Sequence, residues 1–288
     1  MTRDSMALRT PILTLTTDFG YEDGYVASVK GVIFSLNPAV RIVDICHGVR
    51  PQGVVEGGFV LASAFSLFPP GTLHLLIVDP GVGTSRRLLL ARTENHLFLG
   101  PDNGALGLVF EHEPVQEVFS LTASHYFRPE VSATFQGRDI LAPVAAWVSR
   151  GTALSHFGEP VTDWIRFPVP PPTRESDGRI CLHVLHVDRF GNTILNLREA
   201  TFREMRDLGG GGSAQVEIGG TRIGTLLRTY GEAVSEAPFA LFNSAGYLEL
   251  ATRNGSAAAI LSAQPGQPAF LSFQPGSSPG LERPSPVR

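Results

Sequence analysis

Asp18 directly follows an apolar, β-branched run, Pro11-Ile-Leu-Thr-Leu-Thr16 and Thr17, and Asp79 directly follows another, Leu73 to Val78. The carboxyl ends of strands are where an open α/β sheet presents its ligands, so a carboxylate there can meet hydroxyls, an ammonium group or a reacting water. Either Asp alone, ahead of Gly or Pro, reads as turn chemistry. Two at like positions of neighbouring strands lean toward a site. Gly100-Pro-Asp-Asn-Gly104 and Gln136-Gly-Arg-Asp139 are further polar segments at strand or helix ends. Arg138 and Asp139 read as a local ion pair and helix cap.

A second set of candidates lies further along. Asp188-Arg-Phe-Gly-Asn192 and Asn243-Ser-Ala-Gly-Tyr247 are β-turn sequences, with Gly and Asn where positive φ is needed. A large aromatic in a polar turn has no structural purpose there, so Phe190 points to a stacking surface for a purine, with Asn192 reading its edge.

Several chemistries are disfavoured. Gly81-Val-Gly83 lacks the third glycine and the following helix of a dinucleotide fingerprint. The histidines are scattered, and no Cys/His cluster has zinc spacing. There is no Gly-x-Ser-x-Gly elbow. With 23 Lys+Arg against 27 Asp+Glu, the net charge of −4 gives no bulk reason to expect nucleic acid or an anionic membrane as partner. The longest apolar stretch, Phe59–Phe68, is too short for a bilayer. Two cysteines, Cys46 and Cys181, make no disulfide framework and read as buried free thiols. A soluble cytoplasmic protein is the expectation.

The elements that must position these groups alternate. Strands are expected at Pro11–Thr16, Arg41–Cys46 and Leu73–Val78. Helices are expected at Gly24–Leu36, capped by Asp23, and at Val54–Phe68. Short strands at Arg87–Ala91 and His96–Leu99 follow, then helices around Ala105–Phe110 and Asp139–Val148. This is an α/β domain with a mainly parallel sheet. The Pro-rich stretch 169–178 reads as a linker. Beyond it lie short strands at Ile180–Val187, Thr193–Leu197, Ala214–Ile218, Thr221–Gly224, Phe239–Phe242, Tyr247–Ala251, Ala257–Leu261 and Pro268–Phe273. Their turns include the Gly209–Gly212 run, and the pattern is that of a small β-barrel. The chain thus divides into an α/β domain at 10–168, a linker at 169–178, a β-barrel domain at 179–273 and a disordered tail at 274–288, after a mobile lead-in at 1–9.

Together, Thr17-Asp-Phe-Gly20, Val78-Asp-Pro-Gly-Val-Gly-Thr84 with Arg86, Gly100-Pro-Asp-Asn-Gly104, Gly137-Arg-Asp139, Asp188-Arg-Phe-Gly-Asn192 and Asn243-Ser-Ala-Gly-Tyr247 resemble the S-adenosylmethionine hydroxide adenosyltransferases, a family that also includes fluorinase and chlorinase. The resemblance is collinear over residues 10–273. It implies hydrolysis of S-adenosyl-L-methionine to adenosine and L-methionine, with that compound as substrate and no separate cofactor. It also implies a homotrimer with sites between subunits. By position, Asp18 would hold the ribose hydroxyls. Asp23, Ser244 and Asp188 would meet the methionine end, and Phe190 and Asn192 the adenine. Asp79, Arg86 and the residue at 136 would surround the attacking water.

The sequence departs from that pattern where it matters most. The hydrolases carry His at the position of Gln136, and the halogenases carry Tyr there and in place of Asp79. The extra loop of fluorinase is absent, and Gly53 replaces a family Asp. A carboxylate at position 79 favours water over a halide, which it repels. A non-catalytic S-adenosylmethionine or adenosine binder is the second reading, and a halogenase a distant third.

Overall fold

The computed structural model describes residues 11–208 and 212–274. The lead-in expected at 1–9, most of Gly209–Gly212 and the tail beyond Gln274 lie outside the described residues. The chain divides between Pro168 and Val169 into two units.

The first unit is built on one sheet. Its strands are β1 (Ile12–Thr17), β2 (Arg41–Cys46), β3 (Leu73–Ile77), β4 (Leu88–Thr93), β5 (Leu97–Pro101), β6 (Val115–Leu121) and β7 (Gly158–Pro160). They are ordered β2-β1-β3-β5-β4-β6-β7. Pairings from β2 through β5 are parallel, while β5–β4, β4–β6 and β6–β7 are antiparallel. The sheet is therefore parallel only over its first half, because β4 and β5 form a hairpin.

Helices α1 (Tyr25–Leu36), α2 (Val54–Ala62), α3 (Gly107–His112) and α4 (Ala142–Ser149) cover it. Leu13, Leu15, Leu73, Leu75 and Ile77 pack with Val29 and Ile33 of α1 and Val144 and Ala145 of α4. Their period of two places one sheet face on those helices. Helix boundaries differ from expectation in three places, and α2 ends at Ala62, short of the expected Phe68. Helix α1 starts after Gly24 with no side-chain cap, so Asp23 does not cap it. A π-helical turn at Gly137–Leu141 precedes α4.

Thr14 and His74 belong to the opposite face. Thr14 Oγ1 lies 2.8 Å from His74 Nδ1, and the His74 ring stacks 5.2 Å from Phe98. His96 lies 2.9 Å from Glu113 through Nδ1, and its other nitrogen lies 3.2 Å from the Phe68 carbonyl. Burial, with the His96 charge adding, holds His74 down at about 3. The unfolded chain takes up this proton near pH 6.5, whereas the folded chain resists it until near pH 3. His74 therefore contributes stability that is full above pH 6.5 and is lost as pH falls toward 3. That loss amounts to about 2 kcal/mol between pH 7 and pH 5. Urea midpoints at the two pH values check this. The gap narrows in His74→Gln, and an unchanged gap would reject the assignment.

The second unit is antiparallel. Its strands are β8 (Thr173–Arg174), β9 (Ile180–Val187), β10 (Thr193–Arg198), β11 (Ser213–Ile218), β12 (Thr221–Ile223), β13 (Phe239–Phe242), β14 (Tyr247–Ala251) and β15 (Pro268–Gln274). The order is β12-β11-β15-β9-β10-β14-β13, with β8 added beside β9. Part of the Pro-rich stretch is thus a strand. After β12, Leu226 bridges to Ala240 in β13, which nearly closes the sheet into a barrel. Its interior is filled by Leu182, Leu195, Leu250, Leu271 and their neighbours.

Two helices accompany this barrel, α5 (Glu199–Leu208) and α6 (Ala257–Leu261). The expected strand at Ala257–Leu261 is therefore a helix. Ser256 caps it by accepting the Ala259 N–H. No helix among the described residues is long and apolar enough to cross a membrane. Cys46 and Cys181 are free and half-buried, short of the full burial expected.

Candidate functional site

Strands β1 and β3 are parallel neighbours, with Thr17 opposite Ile77. Asp18 and Asp79 therefore leave the same sheet edge side by side. Both line a cavity of about 390 Å³ together with Gln136 and the rings of Phe19, Tyr25 and Phe135. These rings stand 5.3–5.7 Å apart, mostly edge to face.

Asp18 is half-buried, and its Oδ2 accepts the Gln52 N–H at 2.8 Å. Burial raises its carboxyl above the ordinary value. The Gln52 N–H opposes this and the Asp79 charge adds to it. Asp79 and Arg86 form a forked ion pair, with Nε 2.8 Å from Oδ1 and 2.9 Å from Oδ2, and Nη2 also on Oδ2. Their side chains are only 8% and 11% exposed, so solvent screens the pair weakly. The same Nη2 donates to Gln136 Oε1 at 2.6 Å. Arg86 thus ties the carboxylate to the amide, and Gln136 is left with an NH₂, a donor, as its remaining polar end.

Local folding explains how residues so far apart meet. Between Asp79 and Arg86 the chain makes tight turns, with Val82 N–H on the Asp79 carbonyl and Thr84 N–H on that of Gly81. This is no phosphate-binding helix start. Gly83 has φ +81°, and a β-carbon there would lie 2.6 Å from the Ala133 carbonyl oxygen. Only glycine lets this turn approach the segment leading to Gln136.

That segment is anchored by Asp139, which is fully buried. Asp139 accepts from Arg138, Arg128 and the Ser132 N–H. Burial pushes its carboxyl up, but these donors outweigh it and hold the group down at about 2. Asp139 is thus an ion-pair partner as read from the sequence, but it anchors a loop instead of capping a helix. Asn103 donates to the Val78 carbonyl at 2.8 Å, bracing the chain just before Asp79. Asp102 instead takes Arg87 and the Ile165 N–H.

Asp23 stands exposed in the bend before α1 and does not line the cavity. His47 follows β2 and is buried against Thr17 and Asp44.

In the second unit, Asp188 organises its own turn. Its Oδ1 accepts the N–H groups of Phe190 and Asn192, and its Oδ2 accepts the Asn192 amide, all at 2.9 Å. Phe190 is 78% exposed and Asn192 is buried. Gly191, with φ +83°, packs against Ser256 too closely for any side chain. Ser244 is exposed in the β13–β14 turn. In the antiparallel β10–β14 pair, Thr193 faces Leu250 and Arg198 faces Tyr247. The Asp188–Asn192 turn and the Ser244 turn therefore lie at opposite ends of that pair.

Sequence reading passed over Glu249. Buried in β14, it accepts the Tyr230 hydroxyl at 2.6 Å and the Asn243 amide at 3.2 Å. Asn243 in turn accepts the Ala245 and Tyr247 N–H groups and so shapes the Ser244 turn. Burial raises the Glu249 carboxyl, against the Tyr230 and Asn243 hydrogen bonds and with the Asp188 charge adding. An acid inside the apolar run Tyr247–Ala251 was the available signal.

The profile of the SAM hydroxide adenosyltransferase N-terminal domain matches residues 13–158, and that of the C-terminal domain matches residues 182–269. The chain is 37% identical to an (R)-S-adenosyl-L-methionine hydrolase of Salinispora tropica over 89% of its length and 96% of the relative's. It is 27% identical to a fluorinase of Nocardia brasiliensis, over 87% and 93% of the two chains. A crystal structure of an uncharacterised conserved protein from Thermotoga maritima superposes with a TM-score of 0.80 at 33% identity, covering 90% of this chain and 99% of that one.

Proposed function

The chain belongs to the SAM hydroxide adenosyltransferase family, and on that premise we propose that it hydrolyses S-adenosyl-L-methionine to adenosine and L-methionine. The hydrolase relatives are named for the (R) sulfonium epimer, and we carry that preference over. The observation that supports hydrolysis most is that Asp79 and Gln136, tied together by Arg86, line the same cavity as Asp18.

Water oxygen attacks C5′ of the substrate. The C5′–S bond breaks, its electron pair stays on sulfur, and methionine leaves as a neutral thioether. The water's proton is released, so the sulfonium charge becomes a free proton. No acid is needed for the leaving group, and no resident cofactor enters this chemistry.

The protein's work is to hold water in line and exclude competing geometries. Both Asp79 oxygens accept from Arg86, Oδ2 from two of its nitrogens, and Oδ1 keeps a lone pair to orient the water. Asp18 takes the ribose hydroxyls. Phe190 and Asn192 serve adenine, while Ser244, with Asp23, serves the amino-acid end. The separation of the two second-unit turns suits a substrate with a nucleoside at one end and an amino acid at the other. In this reading Asp188 acts mainly through the turn that presents Phe190 and Asn192, because its oxygens are already engaged there. The assembly is a homotrimer in which first-unit and second-unit residues of neighbouring subunits complete each site. Activity and trimerisation then fail together on dilution, and active monomers by light scattering would reject that arrangement.

The direct test is chromatography after incubation with each sulfonium epimer, with and without chloride. Adenosine and methionine in equal amounts from the (R) epimer, indifferent to chloride, are expected. A chloride-dependent product would overturn the hydrolase reading. Tight binding without product would favour the second reading, a non-catalytic binder, for which the engaged acceptor of Gln136 is the specific support.

A further inference from the structure

The loop that carries Asp18 into the cavity is held at both ends by one residue just past β2. His47 is 2% exposed. Its Nδ1 lies 2.8 Å from Thr17 Oγ1, immediately before Asp18. Its carbonyl oxygen accepts the Gly20 N–H at 2.8 Å, two residues after Asp18. Thr17 Oγ1 also accepts the Phe19 N–H at 3.3 Å. On the far side of the ring, Nε2 lies 3.1 Å from Asp44 Oδ1, close enough for the carboxylate to attract an N–H there though off the line of a good hydrogen bond. Asp44 is held in turn by Lys30 at 2.6 Å. The Tyr21 ring closes edge-on over the imidazole at 5.0 Å.

Each polar group here has one role. The Asp44 carboxylate favours the tautomer with its proton on Nε2, which leaves Nδ1 as an acceptor. The Thr17 hydroxyl must then donate to Nδ1, and its oxygen is free to accept from Phe19. The hydroxyl therefore fixes the backbone on both sides of Asp18, while the Gln52 N–H fixes Oδ2 of the carboxylate. None of Thr17, His47 and Asp44 lines the cavity.

We infer that Thr17 and His47 are positioning residues that set the Asp18 carboxylate for the two ribose hydroxyls, so that a pair the substrate never touches decides how strongly the 2′,3′-diol is read. The inference rests on the proposed role of Asp18 and deepens it. Its consequence is specificity for ribonucleosides over their deoxygenated analogues.

Thr17→Val removes the hydroxyl and keeps the shape of the side chain, and Thr17→Ser restores the hydroxyl. The probes are adenosine and 2′,3′-dideoxyadenosine, titrated by calorimetry. The unsubstituted protein binds adenosine more tightly. In Thr17→Val, adenosine weakens about tenfold, the size of one lost hydrogen bond to a charged group. Dideoxyadenosine stays within about twofold, and Thr17→Ser recovers the difference. With S-adenosylmethionine the same variant raises KM and leaves kcat nearly unchanged, as expected for binding lost equally from ground and transition states. Equal weakening of both nucleosides, or no weakening of either, would overturn the inference. Equal binding of the two nucleosides by the unsubstituted protein would remove Asp18 from the ribose and the inference with it.

Discussion

Asp79→Asn lowers kcat by about 10³ and moves KM for S-adenosylmethionine by less than about threefold. The carboxylate faces the water, not the substrate's recognition groups, so its loss falls on the chemical step. Asn keeps the shape but removes the charge that orients water and stabilises the proton as it leaves. The substitution also leaves the Arg86 guanidinium, 11% exposed, without its partner. With Asp18 still on the cavity, the charges there change from net negative to balanced.

That change has a second consequence. A carboxylate repels a halide about 4 Å away by about 4 kcal/mol at an effective dielectric near 20, close to a factor of 10³ in occupancy. Without it, chloride enters, and a chloride-dependent nucleoside product appears on the background of slow hydrolysis. Steady-state kinetics with chromatography of products, and a thermal midpoint to confirm folding, make the check. A kcat within tenfold of the parent value would remove Asp79 from the reaction.

The first half of the sheet was legible because its strands are apolar or β-branched runs closed by polar turns, and β3, buried along its whole length, reads as a strand covered on both faces. Of its second half, β4 was legible and β6 and β7 were not. Val115–Leu121 carries Gln116, Glu117 and Ser120 among its apolar residues, and its pairing with β4 and β7 makes it a strand. Helix α5 escaped because Phe202 is its one buried residue and most of the rest is polar. Ala257–Leu261 is a five-residue apolar run, too short for periodicity to decide. Its alanines and the preceding Ser256 were the helix signals, and they were outweighed by the strand-rich surroundings.

In the candidate site, Asp18 and Asp79 were readable from strand ends alone. The meeting of Arg86 with Gln136 was not, since it depends on Gly83 admitting the Ala133 carbonyl fifty residues along the chain. That pairing was reachable only through family resemblance. The anchors Asn103 and His47 are contacts between distant segments that no local pattern announces, whereas Asp139 was readable only through its neighbour Arg138 and Glu249 only as an acid inside an apolar run. Fold and chemistry were thus visible wherever a residue's role is set by its own strand or turn, and hidden wherever it is set by a partner.

Gln136→His raises turnover, by about 10- to 100-fold, at the lower end of what general-base assistance supplies. The reason is the geometry around Arg86. Gln136 gives its carbonyl to Nη2 and faces its surroundings with a donor, so it orients water without accepting a proton. A neutral imidazole has one acceptor nitrogen. If that nitrogen took the Arg86 proton, the ring would also offer water only an N–H. The gain therefore requires the ring to turn away from Arg86, which forfeits one charge-assisted hydrogen bond and limits the benefit. The guanidinium also disfavours a second positive charge and lowers the imidazole pKa below its ordinary 6.5. The base is then neutral and competent at pH 7, though weaker for it. The variant's rate should accordingly rise with pH through a value below 6.5 and level off, a limb that the Gln136 protein lacks. A pH–rate profile of both proteins decides the matter. A faster variant without that limb would mean that the histidine acts by position alone, and no gain in a folded variant would mean that Gln136 is not what limits this site.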